Sequence, residues 1–389
     1  MQQSAAATKK RTKVFMPRSA AGFDLPFFLI VIVLITIGLV MMFSASYAWG
    51  LYEKQDSFLY IRKQLLFAGV GLVGMLVVSW VDYHFLRMKV WVYGIFGVSL
   101  VMLVYVGLLS RIKDKTIRWI EVGGLFQFQP SEIMKFAIIL LFAHMIARNY
   151  KKMHTIQYGI VPYIGILGIV AGLMMLQPHL SGTILILLIG VVMMFVGGTK
   201  IKHLGVIAAI GVGVLILGVF VLMELTGVNY FEERIQSFLH PESDVQGSTF
   251  QTWQSLITIG SGGLFGLGLG QSRQKFLYLP ESQNDFVFSI VCEELGFIGA
   301  MVVILLFVML IFRGFYIASK ASDKFGALLV VGITVQIGLQ ALLNIAVVTN
   351  SVPNTGISLP FFSYGGTALM MQLFEMGVVL NVSRHAALE

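Results

Sequence analysis

LPFFLIVIVLITIGLVMM occupies positions 25–42, and none of these eighteen residues carries a charge. A helix of this length extends roughly 27 Å, close to the roughly 30 Å thickness of the hydrocarbon core of a bilayer. Apolar stretches of about 20 residues recur along the chain as far as Val382. Strands of a membrane barrel would show shorter alternating segments of about 10 residues. The sequence therefore predicts a helical protein that crosses a membrane many times.

The overall composition agrees with this fold class. The chain is 57% hydrophobic and only 12% charged, whereas a soluble domain carries roughly 25% charged residues. Its net charge of +8 does not indicate nucleic-acid binding, because much of the basic charge lies in short loops, where membrane topology explains it. The single cysteine, Cys292, excludes an internal disulfide.

Ten membrane segments are predicted, with both chain ends in the cytoplasm. The first segment lacks a favourable cleavage site, so we expect a retained helix that also serves as an export signal. Residues 1–24 form a cytoplasmic tail, residues 25–383 a single transmembrane domain, and residues 384–389 a second cytoplasmic tail. The predicted segments are 25–46, 61–81, 88–109, 131–149, 157–176, 181–198, 203–225, 286–312, 325–348 and 364–383.

The distribution of charge supports this orientation. The predicted cytoplasmic pieces hold 16 of the 27 Lys and Arg residues but only four acids, Asp24, Asp82, Asp323 and Glu389. Because cytoplasmic loops of membrane proteins carry an excess of Lys and Arg, the loops that follow the even-numbered segments are expected in the cytoplasm.

Two predicted outer loops are long, at about 110–130 and 226–285. Loops of such length are usually functional or disordered. The second contains aromatic residues and a glycine string from Gly260 to Gly270, so we expect an ordered cap with short amphipathic helices. The glycines could cradle a phosphate, but no strand or P-loop lysine accompanies them. Tight turns and close backbone packing are the favoured explanation.

Ionisable residues at membrane depth are costly and therefore informative. Asp285 ends the long outer loop, where a helix begins. An acid in the first turn can simply interact with the helix dipole. In a dry site, its raised pKa would instead suit a general base. Glu293, eight positions later, is expected on the same broad side, whereas Glu294 is expected to pair with a neighbouring helix.

A second group of polar residues lies around the first long outer loop. Ser131 is a plausible helix cap, and Glu132 and Lys135 are three residues apart on one helical face, where they can pair. This pair either locks two helices together or places a cation near a diphosphate, with Arg118 as a second clamp. Trp119 either anchors at the membrane interface or stacks on a sugar.

Two further turns on the predicted outer side are polar. His179 lies in the turn Gln177-Pro178-His179, where a hydrogen-bonded structural role is the simpler interpretation. The last outer turn, 349–367, combines hydroxyls, amides, prolines and glycines and includes Ser363 and Tyr364. Irregular backbone at membrane depth must be buried in protein or line a wet cavity, so this turn is a candidate binding segment.

Together these motifs resemble the SEDS family of shape, elongation, division and sporulation proteins, which includes FtsW, RodA and SpoVE. The resemblance covers nearly the whole chain. Two positions depart from the family pattern, since the family often has Asp at His179 and Thr at Asn284. The motifs that carry the resemblance are Arg118-Trp119-Ile120, Phe128-Gln129-Pro130-Ser131-Glu132, Gln177-Pro178, Gln254-Ser255-Leu256, Gly260-Ser261-Gly262-Gly263, Tyr278-Leu279-Pro280-Glu281, Asp285-Phe286, Glu293-Glu294-Leu295-Gly296 and the run from Gly356 to Gly366.

The resemblance implies ten helices and a peptidoglycan glycosyltransferase acting on lipid II, with inversion at the sugar and Asp285 as the catalytic base. The segment 268–281 resembles the FtsW and SpoVE division branch more than the elongation branch of RodA. A lipid II flippase and a non-catalytic scaffold are the alternative functions.

The family pattern also implies cofactors, partners and a set of binding residues. Mg²⁺ or Mn²⁺ is a candidate cofactor. The implied partners are a class B penicillin-binding protein, other divisome proteins and membrane lipid, with no nucleic acid. We expect the site on the extracytoplasmic side of the cell membrane. The candidate substrate-binding residues are Arg118, Trp119, Glu132, Lys135, His179, Glu293, Ser363 and Tyr364.

Overall fold

The computed structural model describes most of the chain. The predicted N-terminal tail as far as residue 21, Pro178 and most of the predicted seventh segment, 203–225, lie outside the described residues. The described residues are 22–112, 118–122, 126–177, 179–206, 211, 213, 230–247 and 249–386.

Helices dominate the structure, and most begin within two residues of the predicted starts. Two of them run well past the predicted ends at 46 and 312. The helices are α1 (Leu25–Lys54), α2 (Leu59–Trp80), α3 (Lys89–Ile112), α4 (Pro130–Asn149), α5 (Ile156–Gly159), α6 (Val161–Met175), α7 (Leu180–Val196), α8 (Tyr230–Leu239), α9 (Phe250–Ser261), α10 (Val287–Lys320), α11 (Lys324–Val348) and α12 (Gly366–Arg384).

The lengths and compositions of these helices confirm a polytopic membrane protein. In the described part of the chain, seven helical spans are long and apolar enough to cross a membrane: α1, α2, α3, α4, α5 with α6, α10 and α11. Helix α7 is apolar but shorter. Helix α12 is outside the seven and contains Glu375 and Arg384. The count of ten crossings stays a prediction.

Helices α4 and α11 form the centre of the bundle. About 67% and 72% of their apolar windows are buried, compared with 28–39% for the other five spans. Helix α2 packs along α12, and α1 packs against α10 and α2. The outer helices therefore turn much of their apolar surface towards the surroundings, as lipid contact requires.

One ion pair joins three helices at the end of the bundle where α1 begins. Asp24 caps α1 by accepting a hydrogen bond from the Phe27 N–H at 2.9 Å. The Arg313 guanidinium of α10 binds both oxygens of Asp24, with the shortest contact at 2.8 Å. Asp24 N–H donates to Ser383 Oγ of α12 at 3.1 Å. A bidentate, largely buried pair of this kind fixes both distance and angle between helices.

The two long loops are ordered where they are described. Strands β1 (Ile120–Val122) and β2 (Phe126–Phe128) form a small antiparallel sheet in which Ile120 pairs with Phe128. This hairpin was not predicted. In the second loop, α8 and α9 confirm the prediction of short helices.

Helix α10 is broken at Gly296, where φ is 68° and ψ is −171°. The glycine string fills this break. Leu267 N–H and Gly268 N–H donate to the carbonyls of Glu293 and Glu294 at 2.9 and 3.0 Å. Phe297 N–H donates in turn to the Gly263 carbonyl at 2.9 Å. The loop thus replaces helical hydrogen bonds that the break removes, which confirms close backbone packing as the role of the glycines.

Candidate active site

A polar cavity of about 390 Å³ opens at the end of the bundle opposite Asp24. Helices α4, α7 and α12 begin beside it, so their partially positive N-termini face the space and favour an anion there. The structure brings eight of the nine predicted site residues to its walls. They are Arg118, Trp119, Glu132, Lys135, His179, Asp285, Ser363 and Tyr364.

Asp285 lies in non-helical backbone, two residues before α10 begins. It is half-buried, and burial raises the pKa of its carboxyl to about 6. This value also includes the negative charge of Glu281, which raises the pKa, and the positive charges of Arg118 and Arg234, which lower it. A carboxylate with such a pKa is ionised at neutral pH yet basic enough to accept a proton.

The predicted pair of Glu132 and Lys135 is confirmed. Lys135 Nζ lies 2.8 Å from Glu132 Oε2 on the first turns of α4, and the lysine is only 3% exposed. The same ammonium donates to Gln340 Oε1 of α11 at 3.0 Å. The pair therefore joins two helices and also presents a fixed positive group to the cavity. Ser131 is not the cap of α4, because the helix begins at Pro130 and Gln129 occupies the capping position.

Two more cations reach the cavity, Arg118 beside the hairpin and Lys63 on α2. The hairpin is tied to the start of α12, because Thr367 Oγ1 donates to the Gln127 carbonyl at 2.8 Å. This contact keeps Arg118 and the half-exposed ring of Trp119 at the cavity wall. Lys63 was not predicted, because it lies within a charged stretch and gives no separate signal.

His179 occupies the position before α7, and its carbonyl accepts a hydrogen bond from Thr183 Oγ1 at 2.9 Å. Burial, together with the smaller effect of the positive charges of Arg118 and Lys135, lowers the pKa of its imidazole to about 3. His179 is therefore neutral and offers the cavity a hydrogen-bonding group without charge.

The turn at 349–367 is held on both sides by hydrogen bonds. Ser363 Oγ accepts from Leu359 N–H at 2.7 Å, and Gln64 Nε2 of α2 donates to the Ser363 carbonyl at 3.2 Å. Tyr364 N–H donates to the Gln283 carbonyl at 2.8 Å. Irregular backbone here is buried in protein and lines the cavity, as predicted.

Glu293 is not at the cavity, which corrects the expectation that it contributes to substrate binding. The side chain is fully buried and accepts hydrogen bonds from Ser272 Oγ and from Arg273 N–H at 3.0 Å. The prediction extended helical periodicity back to Asp285, but α10 begins only at Val287. Glu294 does pair, as expected, with a group on a neighbouring helix, Ser44 Oγ of α1 at 2.6 Å.

Three buried amides of α11 also support the site and were not predicted. Gln336, Gln340 and Asn344 follow one another at intervals of four residues in an otherwise apolar helix. This spacing places them on one face, and polar groups at such positions are costly in an apolar setting. The regular spacing is a signal that could have revealed them.

Among the described residues, no three His, Cys, Asp or Glu side chains come together as metal ligands. Near the cavity, Glu132 is already paired with Lys135, so Asp285 is the carboxylate left to bind a cation. This donor set does not form a metal site by itself.

Comparisons with known proteins agree on one family. The family of FtsW, RodA and SpoVE, described as cell cycle proteins, matches residues 25–388. Stage V sporulation protein E of Bacillus subtilis is 43% identical, over 93% of this chain and 97% of the relative. A probable peptidoglycan glycosyltransferase FtsW of Trichlorobacter lovleyi is 38% identical, over 94% of each chain. A solved structure from work on a peptidoglycan synthase complex that coordinates polymerisation and crosslinking superposes with a TM-score of 0.73. It is 26% identical and covers 94% of this chain and 99% of the other.

Proposed function

Because the chain belongs to the FtsW, RodA and SpoVE family of cell cycle proteins, we propose that it is a peptidoglycan glycosyltransferase that polymerises lipid II during cell division. The observation that carries this proposal is the position of Asp285, a half-buried carboxylate at the wall of a polar cavity that also holds Arg118, Lys135 and Lys63. The relatives named for division and sporulation favour the division branch over the elongation branch.

In the proposed reaction, Asp285 removes the proton from the 4-hydroxyl of the acceptor GlcNAc. The oxygen attacks the anomeric carbon of the donor sugar, and the bond to undecaprenyl diphosphate breaks with its electrons on the leaving oxygen. The proton stays on Asp285 until water removes it. One base in a direct displacement gives inversion, whereas retention would need a second carboxylate as a nucleophile. Glu132 is held by Lys135 at 2.8 Å and does not suit that second role.

The leaving diphosphate develops negative charge, and the cavity offers fixed positive groups to receive it. Lys135 is held at the first turns of α4 by Glu132 and Gln340, so it needs little reorganisation during the reaction. Arg118 has the planar donor geometry that binds phosphate oxygens in pairs. Preorganised charge of this kind is often the largest contribution to catalysis.

The remaining cavity groups suit the sugars of the substrate. Trp119 offers an exposed aromatic face, and the neutral imidazole of His179 offers a hydrogen-bonding group. Ser363 and Tyr364 contribute a hydroxyl and a phenol at the cavity wall. Uncharged donors and acceptors fix a sugar without competing for the diphosphate.

We further propose that the chain acts with a class B penicillin-binding protein and other divisome proteins. The similar solved structure comes from a complex that couples polymerisation to crosslinking, which supports a transpeptidase partner. We place the protein in the cytoplasmic membrane with the cavity facing outward, on the basis of the charge distribution. Maleimide labelling of single cysteines introduced near the cavity tests this orientation, because the native Cys292 is buried.

A requirement for Mg²⁺ or Mn²⁺ also stays a proposal. Diphosphate oxygens of the substrate would have to supply most of the ligands, because Glu132 is paired with Lys135 and Asp285 is the proposed base. Polymerisation measured with and without a chelator tests this requirement.

The test of the proposed function is Asp285→Asn in the purified full chain with lipid II and the partner transpeptidase. Removal of a general base typically lowers the rate by roughly 10²–10⁴-fold. Asp56→Asn is a matched control, because Asp56 pairs with the exposed Arg62 outside the cavity. Polymerisation at the normal rate by Asp285→Asn would refute the proposal. Movement of labelled lipid II across the bilayer of vesicles without polymerisation would favour the alternative function of a lipid II flippase.

A further inference from the structure

The three amides Gln336, Gln340 and Asn344, here called the amide row, run along one face of α11 towards the cavity. Each is at most 1% exposed. Gln336 Nε2 donates to Glu375 Oε2 of α12 at 2.8 Å, and Gln340 Nε2 donates to the Ser358 carbonyl at 3.1 Å. The amide row therefore connects the central helix with the segments that surround the site.

Asn344 makes the contact closest to the chemistry. Its Nδ2 donates to the Asp285 carbonyl at 2.7 Å and to the Ile357 carbonyl at 2.6 Å. These carbonyls belong to the end of the long outer loop and to the last outer turn, which lie far apart in sequence. One side-chain amide thus holds both segments to α11, the most deeply buried of the membrane spans.

The two hydrogen bonds donated by Asn344 also determine what lies against the carboxylate of Asp285. Gly356 precedes Ile357 and has a φ of +69°. A Cβ at Gly356 would lie 3.1 Å from Asp285 Oδ2, so the carboxylate rests against backbone with no side chain between them. A change in the distance between the two segments would therefore move the carboxylate relative to the cavity.

We propose that Asn344 is a positioning residue for glycosyl transfer, which holds Asp285 in the orientation that accepts the proton of the acceptor sugar. This inference rests on the proposed function, in which Asp285 is the base. A general base must lie within hydrogen-bond reach of the proton it removes, and a misplacement of about 1 Å can cost roughly 10²-fold in rate.

Asn344 is not the residue that packing alone would select. Its Oδ1 is buried and has no hydrogen-bond partner among the described residues. A buried oxygen without a partner carries a desolvation cost, which an apolar side chain of similar size would avoid. The amide at position 344 is therefore explained by its Nδ2 donor and the two carbonyls that the donor holds.

The experiment replaces Asn344 by Leu in the purified full chain with lipid II and the partner transpeptidase. We expect kcat to fall about 10–100-fold with KM changed less than about twofold, because positioning acts on the chemical step. We also expect the acidic limb of the pH–rate profile to move to lower pH, because a loosened Asp285 gains contact with water. If Asn344→Leu does not yield folded protein, Asn344→Ala, which also lacks the donor, replaces it.

Asn381→Leu is the matched control. Asn381 of α12 is likewise 1% exposed, and its Nδ2 donates to the backbone carbonyls of Ser79 and Val81 at 2.9 and 2.6 Å, away from the cavity. Asn381→Leu should lower the free energy of unfolding while leaving kcat and the pH–rate profile unchanged.

An unchanged kcat for the Asn344 variant would overturn the inference. An equal fall in kcat for both asparagine variants, with an unmoved acidic limb, would overturn it as well. Normal polymerisation by Asp285→Asn would instead refute the proposed function itself. An inactive Asp285→Asn together with a normal Asn344→Leu would remove only the role of Asn344.

Discussion

Replacement of Lys275 by Met tests the buried ion pair between α10 and the long loop that precedes it. Lys275 Nζ lies 3.1 Å from Glu294 Oε1, and the two side chains are 4% and 0% exposed. The ammonium also donates to Ser44 Oγ and to the Gly270 carbonyl at 3.0 and 2.6 Å. Methionine has a similar length, so the main change is the loss of a positive charge beside a buried carboxylate.

The expected loss of stability follows from what remains around Glu294. The carboxylate keeps hydrogen bonds from Ser44 Oγ, Gly270 N–H and Ser272 N–H at 2.6, 3.0 and 3.2 Å. These bonds do not replace the missing charge. Breaking a buried ion pair by removing one partner typically costs about 3–5 kcal/mol. We expect Lys275→Met to lower the free energy of unfolding by about that amount.

The assay is thermal and denaturant unfolding of the purified chain in one detergent. The double variant Lys275→Met with Glu294→Gln should recover most of the loss, because position 294 then carries no buried charge that lacks its cation. Arg62→Met is the control, since its pair with Asp56 is exposed and should contribute less than about 1 kcal/mol. Wild-type stability of Lys275→Met, or a double variant less stable than Lys275→Met alone, would refute the reasoning.

Three further predictions concern the cavity. The initial polymerisation rate should fall as pH drops through about 6, because a general base must be deprotonated and the pKa of Asp285 is raised to about 6. A rate that stays constant down to about pH 4 contradicts this. Gly356→Ala should lower kcat about 10–100-fold, because a Cβ at this position would press on Asp285 Oδ2. Gly198→Ala is the control and should leave the rate unchanged, because Gly198 also has a positive φ but has open space around it. Lys63→Gln should raise KM about 3–10-fold with kcat nearly constant, because this exposed cation is expected to bind substrate equally in the ground and transition states. Arg62→Gln is the neighbouring control, and a fall in kcat alone for Lys63→Gln would contradict the assignment.

The sequence predicted the helices well because a continuous apolar run long enough to cross a bilayer has few other possible structures. Glu132 and Lys135 were paired correctly because their spacing of three residues is a local property of any helix. Asp285, Glu132, Lys135 and His179 were found at the cavity for a similar reason, since ionisable groups at membrane depth are costly and therefore indicate function.

Features that depend on distant contacts were not predictable in the same way. Gln340 meets Lys135 across 205 positions of sequence, and Asn344 meets Asp285 across 59. No local periodicity relates such residues. The role of Glu293 was wrongly expected for the opposite reason, because helical periodicity was applied to the non-helical backbone at Asp285.

The interruption of α10 at Gly296 limits which insertions and deletions the chain can tolerate. Four backbone hydrogen bonds join residues 263–268 to the two sides of the interruption, two of them donated by the loop and two by the helix. A single-residue insertion or deletion there would shift every donor past its acceptor. Residues 240–247 carry no comparable ladder to another helix. An insertion scan of residues 240–285 should therefore meet a short intolerant window at 263–268, whereas residues 240–247, on the other side of α9, should accept tags.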